Sequence, residues 1–92
     1  MLEIIRKKII FRGEVQGVGF RFRARNAAEH FSATGWVRNE YDGTVSMEIQ
    51  GTEAQIAEVI RAIRQGRWIE ITDMEVRRIP VLENEYGFHT EW

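Results

Sequence analysis

Apolar and polar positions along this chain switch between two periods, and the switches mark its elements. Residues 4–12 are dense in β-branched and aromatic side chains, with Ile5, Ile9, Ile10 and Phe11, the composition of a strand. Gly13, Gly17 and Gly19 follow within seven residues and break the pattern into a loop. From Phe20 to about Ser32 the apolar positions are Phe20, Ala24, Ala27, Ala28 and Phe31, spacings that share one helical face. Gly35 closes that helical region. Trp36 to Asn39 reads as a short strand, and residues 40–43 as a turn signalled by Asp42-Gly43. Residues 44–49 alternate apolar and polar, as a half-buried strand does.

Gly51 ends that strand. Thr52 and Gln55 fit a capping box, in which their side chains satisfy amides at a helix start reciprocally. Ile56, Val59, Ile60 and Ile63 form one face of the second helix, which ends at Gln65-Gly66-Arg67. Residues 71–79 predict a long strand with Ile71, Met74 or Val76, and Ile79 facing inward; Pro80 stops it. The stretch from Val81 to Tyr86 carries no readable pattern, and residues 87–92 predict a short final strand. The order is βαββαβ plus a tail. It predicts an α+β, ferredoxin-like sandwich, an antiparallel sheet with two helices on one face. A single domain over residues 1–92 is expected, without linkers, repeats or low-complexity segments. That fold hosts many functions, so function has to come from the site.

Composition narrows the field. Hydrophobic residues at 43% and charged residues at 29% are those of an ordinary globular domain rather than a disordered chain. A net charge of −1 argues against a nucleic-acid partner, which calls for a basic excess. An RNA-binding sheet of the same fold needs exposed aromatics on its central strands, and residues 44–50 have none. The absence of cysteine excludes disulfides, thiolate nucleophiles and cysteine-bound zinc. His30 and His89 have no metal-ligand spacing and read as surface or structural residues. The first eight residues are charged too early for a signal peptide, and no apolar run is long enough to span a membrane. A cytoplasmic protein with no membrane partner is expected, as a monomer, since no unpatterned apolar segment demands a second chain.

The candidate chemistry lies in Gly13-Glu14-Val15-Gln16-Gly17-Val18-Gly19-Phe20-Arg21, between a strand and a helix. Backbone N–H groups in such a turn can converge on an anion, and the helix start adds its dipole and unpaired amides. Arg21, in the first helical turn, can grip two phosphate oxygens at once. The same glycines can equally serve a tight turn with Arg21 solvated. The loop is neither a Walker A sequence nor a dinucleotide fingerprint. Asn39 admits two readings as well. Its amide can hold a water and a phosphate oxygen together, or it can simply open the turn. Glu14 would repel a phosphate and is expected to face solvent. Arg23, Arg25 and Arg38 read as a solvated basic face, Trp36 as packing, and Tyr41 and Trp68 as candidate walls of a pocket.

Taken together, two segments resemble the signatures of the acylphosphatase family. The first is the loop from Gly13 to Arg21. The second is Gly35-Trp36-Val37-Arg38-Asn39-Glu40-Tyr41-Asp42-Gly43-Thr44-Val45, followed by Gly51. Both are complete and in order, and the resemblance extends over essentially the whole chain to Gly87-Phe88. It implies metal-independent hydrolysis of a small-molecule acyl phosphate to a carboxylate and phosphate, without a cofactor. By resemblance Arg21 is the phosphate-binding arginine and Asn39 the residue that orients water. The backbone amides of Val15, Gln16, Gly17, Val18, Gly19 and Phe20 form the phosphate cradle. The C-terminal carboxylate of Trp92 is a candidate to orient Arg21. The segment from Gln65 to Ile69 departs from the family pattern, lacking its prolines and carrying the bulky Trp68, which bears on the acyl pocket rather than on the phosphate site. The competing expectation is a non-catalytic module of the same fold that binds phosphate or an acyl phosphate for regulation.

Overall fold

The computed structural model describes residues 2–91. Its elements are β1 (Ile5–Glu14), α1 (Phe20–His30), β2 (Thr34–Asn39), β3 (Val45–Gly51), α2 (Glu53–Arg64), β4 (Glu70–Ile79) and β5 (Phe88–Glu91). Alternation in the strands decides which face is covered. Ile5, Ile9 and Phe11 on β1, Val37 on β2, and Val45, Met47 and Ile49 on β3 are all buried. Against this face α1 lays Phe20, Ala24, Ala27 and Ala28, and α2 lays Ile56, Val59 and Ile63. The capping box at the start of α2 is present: Gln55 N donates to Thr52 Oγ1 at 3.1 Å, and Thr52 N donates to Gln55 Oε1 at 2.7 Å. This is the ferredoxin-like α+β arrangement that the order of elements predicts. Among the described residues no helix is long and apolar enough to cross a membrane.

The five strands lie in the order β4-β1-β3-β2-β5. The first four are antiparallel, but β5 pairs parallel to β2, with Gly35 opposite Phe88. The sheet is therefore mixed, not purely antiparallel as the sequence suggests. These pairing directions determine where the site can form. β1, β2 and β5 run the same way, so their C-terminal ends all emerge at one end of the sheet. Residues 15–19, Asn39 and Glu91 are brought to that end by topology alone.

Three details differ from the sequence reading. Helix α1 stops at His30, and Gly35 lies within β2 instead of closing the helix. Gly35 has φ 142, and a Cβ there would meet the Glu48 carbonyl oxygen at 1.9 Å, so close strand approach demands glycine. On β4, Ile71 and Met74 pack against the core, whereas Val76 is 49% exposed at the sheet edge. Ile79 pairs with Arg6 and so shares its face of the sheet, opposite the helices.

That opposite face holds a buried charge. Arg6 is 1% exposed, beneath the 80–87 connection that returns the chain from β4 to β5. Its guanidinium meets Glu85 twice, at 2.7 and 3.0 Å, while its Nε donates to Glu48 at 3.0 Å. Thr34 donates to Glu85 at 2.7 Å, and the Leu82 amide donates to Gln50 at 2.9 Å. These bonds clasp the connection to the sheet end remote from residues 15–19. Burial pushes the Glu85 carboxyl up, but the hydrogen bonds from Arg6 and Thr34 outweigh it and hold it below its ordinary value. A depressed carboxyl contributes stability above its unfolded pKa of about 4.3, and that contribution is lost as pH falls through the folded value. Glu85→Gln should therefore be less stable than wild type by about 2 kcal/mol at pH 7. The gap should narrow below about pH 4. Urea unfolding at both pH values measures it; a gap independent of pH would refute the ion-pair assignment.

Candidate active site

The loop after β1 is anchored at both ends. Val15 and Phe20 are buried, and the Phe20 ring meets Phe11 of β1 edge-on at 4.8 Å between centroids. Such a pair adds about 1 kcal/mol beyond its buried area and fixes where α1 begins. Between the anchors, Gly17 and Gly19 have φ of 72 and 81. Neither is crowded, so backbone conformation and not space requires glycine at these positions. Gly19 is the N-cap of α1; among the described residues no side chain caps that end, and its first turn has no acidic residue. An uncapped helix start preceded by positive-φ residues is the arrangement that binds anions.

Arg21 follows in the first turn, half-buried. Its Nη1 donates to the carbonyl of Glu91 at 3.3 Å, which ties the guanidinium to the end of β5. Asn39 ends β2, paired with Val45. The turn beyond it is closed by Glu40 N donating to Thr44 O at 2.9 Å and Gly43 N to Glu40 O at 3.2 Å. Asp42 accepts from the Thr44 hydroxyl at 2.7 Å and the Thr44 amide at 3.0 Å, which holds its carboxyl below the ordinary value. Glu40 is lowered likewise, by hydrogen bonds from Ser46 and then from Arg38, whose Nε lies 3.0 Å away. Both hairpin carboxylates thus have their charge occupied within the hairpin.

One side chain joins loop and hairpin. Gln16 Nε2 donates to Glu40 O at 2.7 Å and to Thr44 O at 2.8 Å. It braces the loop against the turn that carries Asn39. A cleft of about 180 Å³ results, lined by Val15, Gly17, Gly19, Phe20, Arg21 and Asn39, with Phe22 at its edge. At roughly 30 Å³ per water, it has room for a phosphoryl group and a water.

Of the residues singled out in the sequence, Arg21 and Asn39 are brought together with four loop residues. The side chains of Gln16 and Val18 turn elsewhere: Gln16 reaches to the hairpin, and Val18 packs against the core and faces a neighbouring cleft. Glu14 is exposed. His89 bonds the Tyr86 carbonyl at 2.8 Å, and His30 packs edge-on against Phe31. Among the described residues no cluster of three or more acidic, histidine or cysteine side chains could hold a metal ion. Trp92, the candidate partner of Arg21, lies outside the described residues. The Gln16 brace and the Glu91 carbonyl escape sequence reasoning. A polar residue in the loop hints at the first; the second comes only from β5 pairing beside β2.

The acylphosphatase family model matches residues 7–90. The chain belongs to the acylphosphatase family. An acylphosphatase of Clostridium acetobutylicum is 42% identical over 77 residues, covering 83% of this chain and 85% of its own length. The crystal structure of acylphosphatase from Bacillus subtilis superposes with a TM-score of 0.87 at 31% identity, covering 96% of this chain and 99% of that one. A similar likeness, TM-score 0.87 at 30% identity, is found to full-length HypF in its phosphate- and nucleotide-bound form; it covers all of this chain but 12% of HypF. As a member of the family the chain is a hydrolase of acyl phosphates, and a small-molecule acyl phosphate is its class of substrate.

Proposed function

We propose that hydrolysis proceeds by in-line attack of a water held by Asn39 on a phosphoryl group bound by Arg21 and the backbone amides of residues 15–20. The observation that carries this reading is the cleft in which an uncapped helix start, Arg21 and Asn39 meet. Phosphoryl transfer passes through a loose transition state with charge spread over the phosphoryl oxygens. Amides and a guanidinium aimed at those oxygens stabilise that charge. The leaving group is a carboxylate whose conjugate acid has a pKa of about 4, so it departs without a general acid. A loose transition state asks little of a base, and the remaining task is to aim the water, which one neutral amide can do. Arg21, Asn39 and the loop then suffice, with no metal and no cofactor in the reaction. The working unit in this reading is one domain, monomeric and cytoplasmic.

Benzoyl phosphate hydrolysis by the purified protein in excess EDTA tests the reading. Turnover is expected to be unchanged by the chelator and inhibited competitively by inorganic phosphate. Loss of activity in EDTA, restored by a divalent cation, would overturn the metal-independent mechanism. A folded protein that binds phosphate without turnover would point to a regulatory binding module.

A further inference from the structure

The end of β5 supplies a carbonyl that holds Arg21, so whatever places β5 also places the arginine. β5 is a four-residue strand at the edge of the sheet, paired parallel with β2. Of its side chains Phe88 is buried, while His89, Thr90 and Glu91 are exposed. Strand register is specified by the side chains that must be buried, and three exposed positions specify little. A slip of one residue along β2 would carry the Glu91 carbonyl about 3 Å away from Arg21. Phe88 pins one point of the strand, and a second point is needed to fix its direction.

That second point is Glu85, three residues before Phe88. Its carboxylate takes both arms of the Arg6 guanidinium, at 2.7 and 3.0 Å, and accepts from the Thr34 hydroxyl at 2.7 Å. Such a forked pair fixes direction as well as distance. Arg6 is itself held, with Nε on Glu48 at 3.0 Å and Nη1 on Gln50 at 3.1 Å, both from β3. Thr34 opens β2, the strand on which β5 lies. Between Glu85 and Phe88 the backbone is tied down further. The Gly35 amide donates to the Gly87 carbonyl at 3.1 Å, and His89 bonds the Tyr86 carbonyl at 2.8 Å. From Phe88 to Glu91 there is then roughly 10 Å of extended strand, with no turn to absorb an error made at its start.

We propose that Glu85, clasped by Arg6 and Thr34, is a positioning residue for catalysis: it fixes how β5 lies on β2, and through the Glu91 carbonyl it sets the direction of the Arg21 guanidinium. The proposal rests on the reading of Arg21 as the phosphate-binding side chain. Glu85 touches neither substrate nor the reacting atoms. Its influence reaches the phosphate cleft from the opposite end of the sheet, along one short strand.

Two variants loosen the clasp to different degrees. Glu85→Gln keeps the shape and removes the charge, and Thr34→Val removes one donor and keeps the ion pair. Both are assayed at a temperature where circular dichroism shows each variant fully folded. Glu85→Gln should weaken competitive inhibition by inorganic phosphate and lower kcat/KM for benzoyl phosphate, each by about tenfold, and Thr34→Val should do so by about threefold. In an Arg21→Ala background the same changes should move neither quantity by more than about twofold, because the group they direct is gone. A further readout needs no substrate: hydrogen exchange at the β5 amides of Glu85→Gln should quicken about tenfold relative to those of β3. Wild-type phosphate inhibition and turnover in a folded Glu85→Gln, beside an impaired Arg21→Ala, would overturn the proposal alone and leave the clasp a stabilising contact. Losses that persist undiminished in the Arg21→Ala background would overturn it as well, as would β5 amides that exchange at the wild-type rate. Unchanged phosphate inhibition in Arg21→Ala itself would remove Arg21 from the phosphate site, and the role of the clasp would fall with that reading.

Discussion

Arg21→Ala should lower kcat/KM for benzoyl phosphate by about a thousandfold, in line with the loss of a transition-state arginine. It should also weaken competitive inhibition by inorganic phosphate. Arg21 lies in the first turn of a helix whose N-terminus is uncapped, and its guanidinium is tethered to the Glu91 carbonyl at 3.3 Å. That tether sets the fork's direction before substrate arrives, which reduces the ordering cost of binding. Arg21→Lys keeps the charge but not the planar fork, so it should recover only part of the loss. The fold should survive both changes, because Arg21 is only half-buried and contributes nothing to the apolar core. Steady-state kinetics with phosphate as inhibitor, beside a thermal melt, makes the measurement. An unchanged inhibition constant for phosphate in Arg21→Ala would remove Arg21 from the phosphate site.

Strands and helices are legible in the sequence because their patterns are local. Ile5, Ile9 and Phe11 announce one face of a strand, and Thr52 with Gln55 announces a helix start; each signal needs only its neighbours. The 80–87 connection is unreadable for the opposite reason. Its residues are held by Arg6, Thr34 and Gln50, all more than 30 positions away in the chain. The parallel pairing of β5 is invisible for the same reason, and with it the support for Arg21. Gly35 misleads because glycine after a helical pattern usually marks a stop, whereas here it admits the Glu48 carbonyl across a strand pair. Val76 is a poor inward candidate because β4 is an edge strand, where alternation no longer guarantees burial. At the site, glycine spacing and Arg21 are visible in the sequence as a candidate anion loop. The Gln16 brace is not, because its acceptors, the carbonyls of Glu40 and Thr44, lie 24 and 28 residues away.

Asn39→Ala should reduce kcat for benzoyl phosphate by about a hundredfold or more while leaving the inhibition constant of inorganic phosphate nearly unchanged. The separation comes from position. In the proposed mechanism the amides of the loop and Arg21 hold the phosphoryl group in the ground state, whereas Asn39 approaches from the end of β2. A group that aims water acts on the step to the transition state and lowers kcat without lifting phosphate from the site. Its own placement is fixed by pairing with Val45 and by the Gln16 brace on the adjoining turn. A displacement of even about 1 Å from productive geometry is costly to such a group. Asn39→Asp separates aim from charge. The side chain keeps its shape, but a carboxylate beside a bound phosphate dianion repels it, so phosphate inhibition should weaken as turnover falls. Kinetics of both variants at pH 7 decides the role. If Asn39→Ala loses phosphate affinity as much as turnover, Asn39 belongs to the phosphate cradle, and the attacking water must be held by another group.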